Sequence, residues 1–106
     1  MAKAQPFVIE FGHSAHGDLQ FFERKLRREI LDNINLHLSH QPNRESHKLK
    51  RMRPNSRAGW ELRLGDYRVL YDIFEAEYVV RVKAIGEKRG NKLFVRGEEF
   101  HDHESD

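Results

Sequence analysis

Two arginines on neighbouring predicted strands are the residues whose types and spacing point most directly to chemistry. Two runs of alternating apolar residues, Trp60–Leu64 and Tyr67–Phe74, are separated only by a Gly-Asp dipeptide. A two-residue loop that begins with glycine is typical of a tight β-hairpin. In that register Arg63 lies directly opposite Arg68, on the face turned away from the core. Facing like charges destabilise an antiparallel pair, whereas guanidinium groups bind phosphate oxygens well. We therefore predict that both arginines bind an external phosphate.

A structural interpretation of the same pair remains open. Glu61 and Asp72 fall on the face that carries the two arginines, each within a diagonal step of one of them. At that spacing a carboxylate neutralises a facing guanidinium inside the sheet. Both interpretations predict the same hairpin. They differ in whether the guanidinium groups are free to bind a ligand.

A basic stretch surrounds this hairpin. Residues 44–68 contain eight Lys and Arg against three acids, a net charge of +5 in 25 residues. Such a cluster is typical of a surface that binds nucleic-acid phosphates, although a plain solvated surface has the same composition. The candidate nucleic-acid-binding residues, with one aromatic that can stack on a base, are Lys48, Lys50, Arg51, Arg53, Arg81, Lys83, Arg89 and Phe94.

Common catalytic and nucleotide-binding motifs are absent from the sequence. Residues 86–90 have the composition of a phosphate loop, but they follow an antiparallel strand and precede no predicted helix. Histidines at helical spacing can hold a metal ion, yet no pair has a clear third and fourth ligand. The pairs at helical spacing are His13/His16 and His37/His40, and His101/His103 is a further pair in the tail. We therefore predict neither a metal site nor a cofactor.

The helical part of the chain follows from its hydrophobic spacing. Residues 5–11 alternate as a short strand, and Ser14 is the predicted N-cap of a helical region that continues to about Ser39. Its apolar residues recur every three or four positions from Leu19 to Leu38, which makes one stripe. No Gly or Pro interrupts residues 18–41, so the pattern allows one long helix or a tight helical hairpin. Pro42 ends the region.

The second half predicts an antiparallel sheet. A turn of helix is expected at residues 46–52, before the hairpin. A third strand, residues 78–85, follows a turn at 75–77, and its core face carries Val80, Val82 and Ala84. Residues 86–90 are expected to form a loop, and residues 92–96 a short strand. Because the apolar face of the sheet needs a cover, the helical region should pack on it, which gives an α+β fold.

Composition and charge limit the class of protein. The chain has 106 residues and a net charge of only +2, but five acids and no Lys or Arg lie in residues 98–106, so the first 97 residues carry +7. We predict one domain, residues 1–97, followed by a flexible acidic tail, residues 98–106. The tail is either a solubilising end or a segment that shields the basic surface. The absence of cysteine excludes disulfides and thiol chemistry and fits a cytoplasmic protein. The sequence shows neither an apolar run of about 18 residues nor a signal-peptide pattern, so no membrane association is expected.

The hairpin also carries a resemblance to a known family. Residues 60–73 read W-E-L-R-L-G-D-Y-R-V-L-Y-D-I. Together with Ser14-Ala15, Asp18-Leu19, Leu49-Lys50 and residues 82–86, they resemble the RelE/ParE superfamily of bacterial type II toxins over about residues 5–94. The resemblance implies an α+β fold in which an N-terminal strand, a helical hairpin and a three- to four-stranded antiparallel meander pack together, and it thereby favours two helices over one.

The resemblance further implies a growth-arresting toxin that a cognate acidic antitoxin neutralises. RelE-like members bind the ribosome and act as mRNA interferases. These endoribonucleases need no metal, because the 2′-hydroxyl of the mRNA is the nucleophile, and cationic side chains stabilise the charge on phosphorus. ParE-like members share the fold but act on DNA gyrase. The implied partners are therefore an antitoxin and either the ribosome with mRNA or DNA gyrase.

The resemblance assigns roles to individual residues. Arg68 matches the arginine of the family's G-x-Y-R element, and Arg63 matches a basic position on the preceding strand. The other basic strand position of the nucleases falls at Glu61, a candidate general acid or base. A family arginine falls at Lys88 or at Arg89.

The implied catalytic set is thus Arg68, Arg63, Glu61 and Lys88. A terminal tyrosine of the family falls at Phe94, which has no hydroxyl for proton transfer or hydrogen bonding but retains a ring that can stack on a base. Three functions follow. The first is a RelE-like mRNA endonuclease. The second is a ParE-like or degenerate member that inhibits gyrase or binds a partner without nuclease activity, and the third is a non-toxic RNA-binding module.

Overall fold

A layer of two helices covers one face of a seven-stranded sheet in the computed structural model, which describes residues 5–54 and 57–100. The helices are α1 (His13–Gln20) and α2 (Arg24–Leu38). The strands are β1 (Val8–Phe11), β2 (Leu49–Arg51), β3 (Trp60–Leu64), β4 (Tyr67–Phe74), β5 (Val79–Arg89), β6 (Lys92–Val95) and β7 (Glu98–Glu99). Strands β2 to β7 follow one another in an antiparallel order, and β1 pairs with β5 in parallel. This is the predicted α+β architecture.

The helical region is a hairpin of two helices. Helix α1 closes with the N–H groups of Phe21 and Phe22 bonded to carbonyls one turn back, and α2 begins at Arg24. Phe22 fills the corner between the helices and packs edge-on against the Tyr67 ring, with ring centroids 5.6 Å apart. The predicted N-cap at Ser14 is wrong, because α1 begins at His13 with Gly12 as its N-cap and no side-chain capping bond.

The main core lies between the helices and the inner face of the sheet. Ile30, Ile34 and Leu38 of α2 are buried against apolar residues of β3 and β4 such as Leu62 and Val69. These three helix residues belong to the apolar stripe that the sequence predicts. Full burial of each such side chain contributes about 1.5–3 kcal/mol, so the stripe holds α2 across the sheet and leaves the opposite face of the sheet for other contacts.

A β-bulge changes the face of one predicted core residue. Val69 pairs with Ile85 and Leu70 with Ala84, but the next pair is Tyr71 with Val82, so Lys83 is an extra residue in β5. Such a bulge reverses the alternation of side chains beyond it. Ile85 therefore lies in the main core, and the expectation that Ala84 continues the core face is wrong.

The opposite face of the sheet has a second, smaller apolar cluster. Its buried members Ala58, Leu70 and Ala84 are packed by Met52, Leu93 and Phe100. The sheet is thus apolar on both sides at its centre, although the sequence pattern predicts a single core face. We call this side, which also carries Arg63 and Arg68, the outer face.

Three further expectations about local structure are corrected. Residues 46–52 contain strand β2 instead of a helical turn, because Leu49 pairs with Leu62 at the edge of the sheet. The expected loop at residues 86–90 is mostly strand, since β5 continues to Arg89 and pairs with β6. Glu98 and Glu99, the first residues of the expected tail, form β7 against β6. The rest of that tail after Phe100, including His101 and His103, lies outside the described residues.

None of the helices in residues 5–54 and 57–100 combines the length and the apolar character needed to cross a membrane.

Candidate nucleic-acid interface

The β3–β4 hairpin has the predicted register. Arg63 pairs with Arg68, Leu62 with Val69 and Leu64 with Tyr67. Gly65 has a φ of 61°, a left-handed conformation that glycine adopts without strain, and this allows the two-residue loop. The hairpin therefore sets two guanidinium groups side by side on the outer face, where the sequence places them.

Glu61 lies between the two arginines. Its Oε1 is 3.1 Å from Arg63 Nε, and its Oε2 is 3.8 Å from Arg68 Nε. One carboxylate thus offsets the repulsion of two neighbouring guanidinium groups, which is the structural interpretation of Glu61. Asp72 does not share this role, because it accepts a hydrogen bond of 2.7 Å from the Gly59 N–H and lies 4.0 Å from the Lys83 amine.

Arg68 is held rigidly and keeps hydrogen-bonding capacity. Its side chain is 14% exposed, and Nη1 donates to the carbonyls of Gly65 and Tyr67 at 2.6 and 2.9 Å. Its buried Nε forms no hydrogen bond. A buried donor without a partner costs about 1–3 kcal/mol, and the Glu61 carboxylate, 3.8 Å from this nitrogen, offsets part of that cost. Arg63, at 45% exposure, is the more accessible member of the pair.

Two lysines flank the arginine pair on the same face. Lys50 of β2 is the register partner of Glu61, and Lys88 of β5 pairs with Leu93 of the outer-face cluster. The Lys88 N–H donates to the Asp66 carbonyl at 2.7 Å, which brings the end of β5 against the hairpin loop. Within the described part of the chain neither lysine forms an ion pair. We call Lys50, Glu61, Arg63, Arg68 and Lys88 the arginine cluster.

Other predicted basic residues lie elsewhere. Arg51 is on the helix side of β2, with its guanidinium carbon 5.6 Å from the centre of the Trp60 ring. The carbonyl of Lys48 accepts a hydrogen bond from the Arg63 N–H. Lys48 also lines a cavity of about 340 Å³ together with residues of α2. Burial, and to a smaller extent the charge of Lys48, lowers the pKa of His37. The basic stretch is therefore divided between the two faces.

Three further candidate residues, Arg81, Arg89 and Phe94, also lie apart from the arginine cluster. Arg81 forms an ion pair of 3.1 Å with Glu10 of β1 and lies over the Phe74 ring. Phe94 is the register partner of Glu87, which itself pairs with Tyr67 on the helix side. Arg89 lies 4.7 Å from the centre of the Phe94 ring and pairs with Glu87 at 3.3 Å. Arg89 and Phe94 are thus on the face opposite the arginine cluster.

The hairpin tyrosines serve the core. The Tyr71 hydroxyl donates to the Pro42 carbonyl at 2.7 Å, and its ring stacks on Trp60 with centroids 6.2 Å apart. Burial raises the pKa of Tyr71, and burial followed by the charge of Glu87 raises the pKa of Tyr67. Both hydroxyls therefore stay protonated at neutral pH, and the Tyr71 ring is fully buried in the core.

The outer face has two cavities, of which Lys83 lines both and Arg53 lines one. A cavity of about 450 Å³ is lined by both residues together with Arg57. A second cavity, of about 460 Å³, shares Lys83 and Arg57 and continues toward the buried Leu70. The outer face therefore carries cations from the hairpin loop to the β4–β5 bulge.

An ion pair between Asp18 and Arg96 is a feature that the sequence analysis missed. The Asp18 side chain is 3% exposed, and it accepts hydrogen bonds from the Ile85 N–H at 3.0 Å and from Arg96 Nε at 2.7 Å. Arg96 has a left-handed φ of 53° and also donates to the Ser14 carbonyl. A Cβ at Gly17 would lie 2.2 Å from Arg96 Nη2, so a glycine inside α1 makes room for this contact. The pairing joins α1 to β5 and β6.

The strand order, helical hairpin and parallel β1 define an α+β fold of the RelE type. Among solved structures, a chain in the crystal structure of the toxin–antitoxin complex RelBE2 from Mycobacterium tuberculosis is similar, with a TM-score of 0.70 and 21% identity. The similarity covers 83% of this chain and 98% of that chain. It confirms the predicted RelE/ParE-like fold. No protein-family model matches the sequence, and no curated protein matches it.

Proposed function

We propose that this protein is the toxin of a type II toxin–antitoxin system and that it cleaves mRNA on the ribosome in the cytoplasm. The arginine cluster is the observation that carries the proposal. It sets four cationic side chains against one carboxylate on a firm sheet surface. The fold it occupies is also found in a chain of a toxin–antitoxin complex. A surface of this kind suits the transition state of phosphodiester cleavage, which gathers negative charge on phosphoryl oxygens.

The proposed reaction is an internal transfer within the RNA. The 2′-hydroxyl oxygen attacks the adjacent phosphorus, and the bond between phosphorus and the 5′ oxygen breaks. The products carry a 2′,3′-cyclic phosphate and a 5′-hydroxyl. Glu61 takes the proton of the 2′-hydroxyl, and the Lys88 ammonium gives a proton to the leaving 5′ oxygen. Arg68 and Arg63 bind the phosphoryl oxygens, so the charge that develops there meets fixed donors.

Glu61 is suited to this role by its position. Each of its oxygens faces an arginine, so the carboxylate is oriented within the hairpin before any substrate binds. A preorganised group loses less freedom in the reaction than a mobile one, which lowers the barrier. The same two contacts place the proton acceptor next to the guanidinium groups that hold the phosphate.

A test of the proposed reaction is to induce the protein in growing bacteria and map the 5′ ends of mRNA by primer extension. We expect growth arrest and new 5′ ends at fixed positions within codons, because the ribosome presents the mRNA in register. Purified ribosomes programmed with a short mRNA should show the same cuts and 5′-hydroxyl ends. Intact mRNA in both assays contradicts the nuclease proposal.

A gyrase-inhibiting or partner-binding role is the second candidate. It is favoured by Phe94, which lacks a hydroxyl and lies on the face opposite Arg68, and by the carboxylate of Glu61 within the cluster. Growth arrest with intact mRNA and a DNA-damage response supports this candidate. A chain that leaves growth unchanged supports a non-toxic RNA-binding module.

The proposed antitoxin is an acidic polypeptide. The first 97 residues carry +7, and Arg63, the more accessible arginine of the pair, is 45% exposed. Attraction between opposite charges weakens as salt screens them over about 10 Å at 0.1 M. We expect the dissociation rate of the toxin–antitoxin complex to rise and its association rate to fall between 50 and 500 mM salt, which surface plasmon resonance measures. Salt-independent rates contradict a charge-based partner.

A further inference from the structure

The larger cavity of the outer face joins an apolar floor to a cationic rim. Its volume is about 460 Å³. Its lining includes the apolar residues Leu70, Ala84 and Phe100 and the cationic residues Arg57, Lys83 and Arg96. Leu70 and Ala84 are buried members of the outer-face cluster, so the floor is firm. Ligand cavities commonly hold about 300–1,000 Å³ and combine an apolar lining with a few charged groups. A nucleotide, with one flat apolar part and one anionic part, has the matching chemistry.

The cavity contains a flat surface for a base. The guanidinium carbon of Arg57 lies 4.7 Å from the centre of the Phe100 ring, so a planar cation and an aromatic ring line the same wall. Bases of single-stranded RNA stack on aromatic rings and on arginine planes, and they do so with little sequence preference. The wall is therefore suited to stacking rather than to reading a particular base.

The bulge in β5 supplies the cation at the rim. Lys83 is the extra residue of the bulge, its side chain is 43% exposed, and its amine lies 4.0 Å from Asp72, beyond hydrogen-bond distance. The amine can therefore reorient toward a phosphate at little cost. Arg96 has a different role, because Asp18 and the Ser14 carbonyl already hold its guanidinium in place.

The cavity and the arginine cluster share a strand and a face. Leu70 lies two residues after Arg68 in β4, and residues two apart on a strand project from the same side about 6–7 Å from each other. We propose that this cavity binds one nucleotide of the single-stranded RNA next to the cleaved bond, with its base against Phe100 and Arg57 and its phosphate on Lys83. This assignment rests on the proposed function and extends its substrate site beyond the arginine cluster.

Titration of the purified full chain with 5′-AMP, monitored by amide chemical shifts, tests the assignment. We expect shifts confined to the cavity residues, and binding at least tenfold tighter than that of adenosine or of inorganic phosphate alone. Lys83→Ala and Phe100→Leu should each weaken AMP binding about tenfold. The matched control Lys25→Ala, an exposed lysine on α2, should leave it unchanged.

The outcomes separate this assignment from the proposed function. Arg68→Ala removes the proposed phosphate donor but should weaken AMP binding far less than Lys83→Ala does, because Arg68 lies beside the cavity and does not line it. AMP binding no tighter than phosphate binding, or an affinity that survives in the Lys83 variant, overturns the cavity assignment even where mRNA cleavage is observed. Chemical shifts confined to the cavity residues, together with weaker AMP binding by the Lys83 and Phe100 variants, support the cavity assignment. They do so even where no mRNA cleavage is found, and the protein would then bind RNA without cleaving it.

Discussion

Replacement of Arg68 by alanine is expected to abolish growth arrest and to lower the rate of mRNA cleavage on ribosomes by about 10²–10³-fold. That is the usual loss when one preorganised donor to a developing oxyanion is removed. Arg68 is the best-ordered cation of the cluster, since the Gly65 and Tyr67 carbonyls hold its Nη1 group. Single-turnover cleavage of a ribosome-bound mRNA by the purified variant measures the effect. Arg68→Lys should keep a small part of the activity, because it keeps the charge and loses the paired donors.

A matched control is Arg28→Ala, which removes an exposed arginine from α2 on the other side of the sheet. It should cleave at the wild-type rate and unfold at the same urea concentration. Arg68→Ala must also unfold cooperatively, so that lost activity reports on chemistry. Cleavage by Arg68→Ala at the wild-type rate would remove Arg68 from the proposed mechanism.

The contacts of Glu61 explain how the hairpin carries two facing arginines and still presents a cationic surface. Glu61 offsets the repulsion between Arg63 and Arg68, which explains how the sheet tolerates two facing guanidinium groups. One carboxylate cannot neutralise two guanidinium groups, and Lys50 and Lys88 add further positive charge. The arginine cluster therefore keeps a net positive charge, while Glu61 fixes the positions of the two guanidinium groups. The structure contains the contacts of the structural interpretation, and phosphate binding by the pair stays a prediction.

Local patterns were sufficient to predict the hairpin. A two-residue loop permits only one register, so the pairing of Trp60 with Tyr71 and of Arg63 with Arg68 follows from the loop length alone. The stripe from Leu19 to Leu38 likewise identifies the helix residues that face the core. Short-range spacing determines these features, and a sequence displays it directly.

Contacts between residues that are far apart in the sequence could not be predicted from local spacing. The bulge at Lys83 has no turn residue to mark it, and it moves Ala84 to the outer face. The cavity wall joins Arg57 to Phe100, and the ion pair joins Asp18 to Arg96, which are 78 residues apart. A glycine inside the α1 pattern, at Gly17, was the one local sign that another group approaches the helix there. The hairpin register that places the candidate residues was thus predictable, whereas contacts between separate elements were not.

The pair of Asp18 and Arg96 carries the largest expected effect on stability. Asp18→Ala should lower the free energy of unfolding by about 2 kcal/mol, because it leaves the buried Ile85 N–H without an acceptor and takes one of two partners from Arg96, whose side chain is 48% exposed. Urea denaturation followed by tryptophan fluorescence measures the loss. Hydrogen exchange should also accelerate in β6 and β7, which this contact ties to α1.

Glu10→Ala is the matched control, since Glu10 and Arg81 form a pair between similarly distant residues but with both side chains almost half exposed. Solvent screens such a pair, so its loss should cost less than about 0.5 kcal/mol. Equal costs for the two variants would mean that the Asp18 contact is no stronger than a surface ion pair. The loss of stability in Asp18→Ala should also affect ligand binding. Strand β6 carries Leu93, the register partner of Lys88, and the chain after it leads to Phe100 of the cavity. Loosening this segment should therefore weaken AMP binding in the cavity of the outer face, while Arg68, held by carbonyls of its own hairpin, keeps its position.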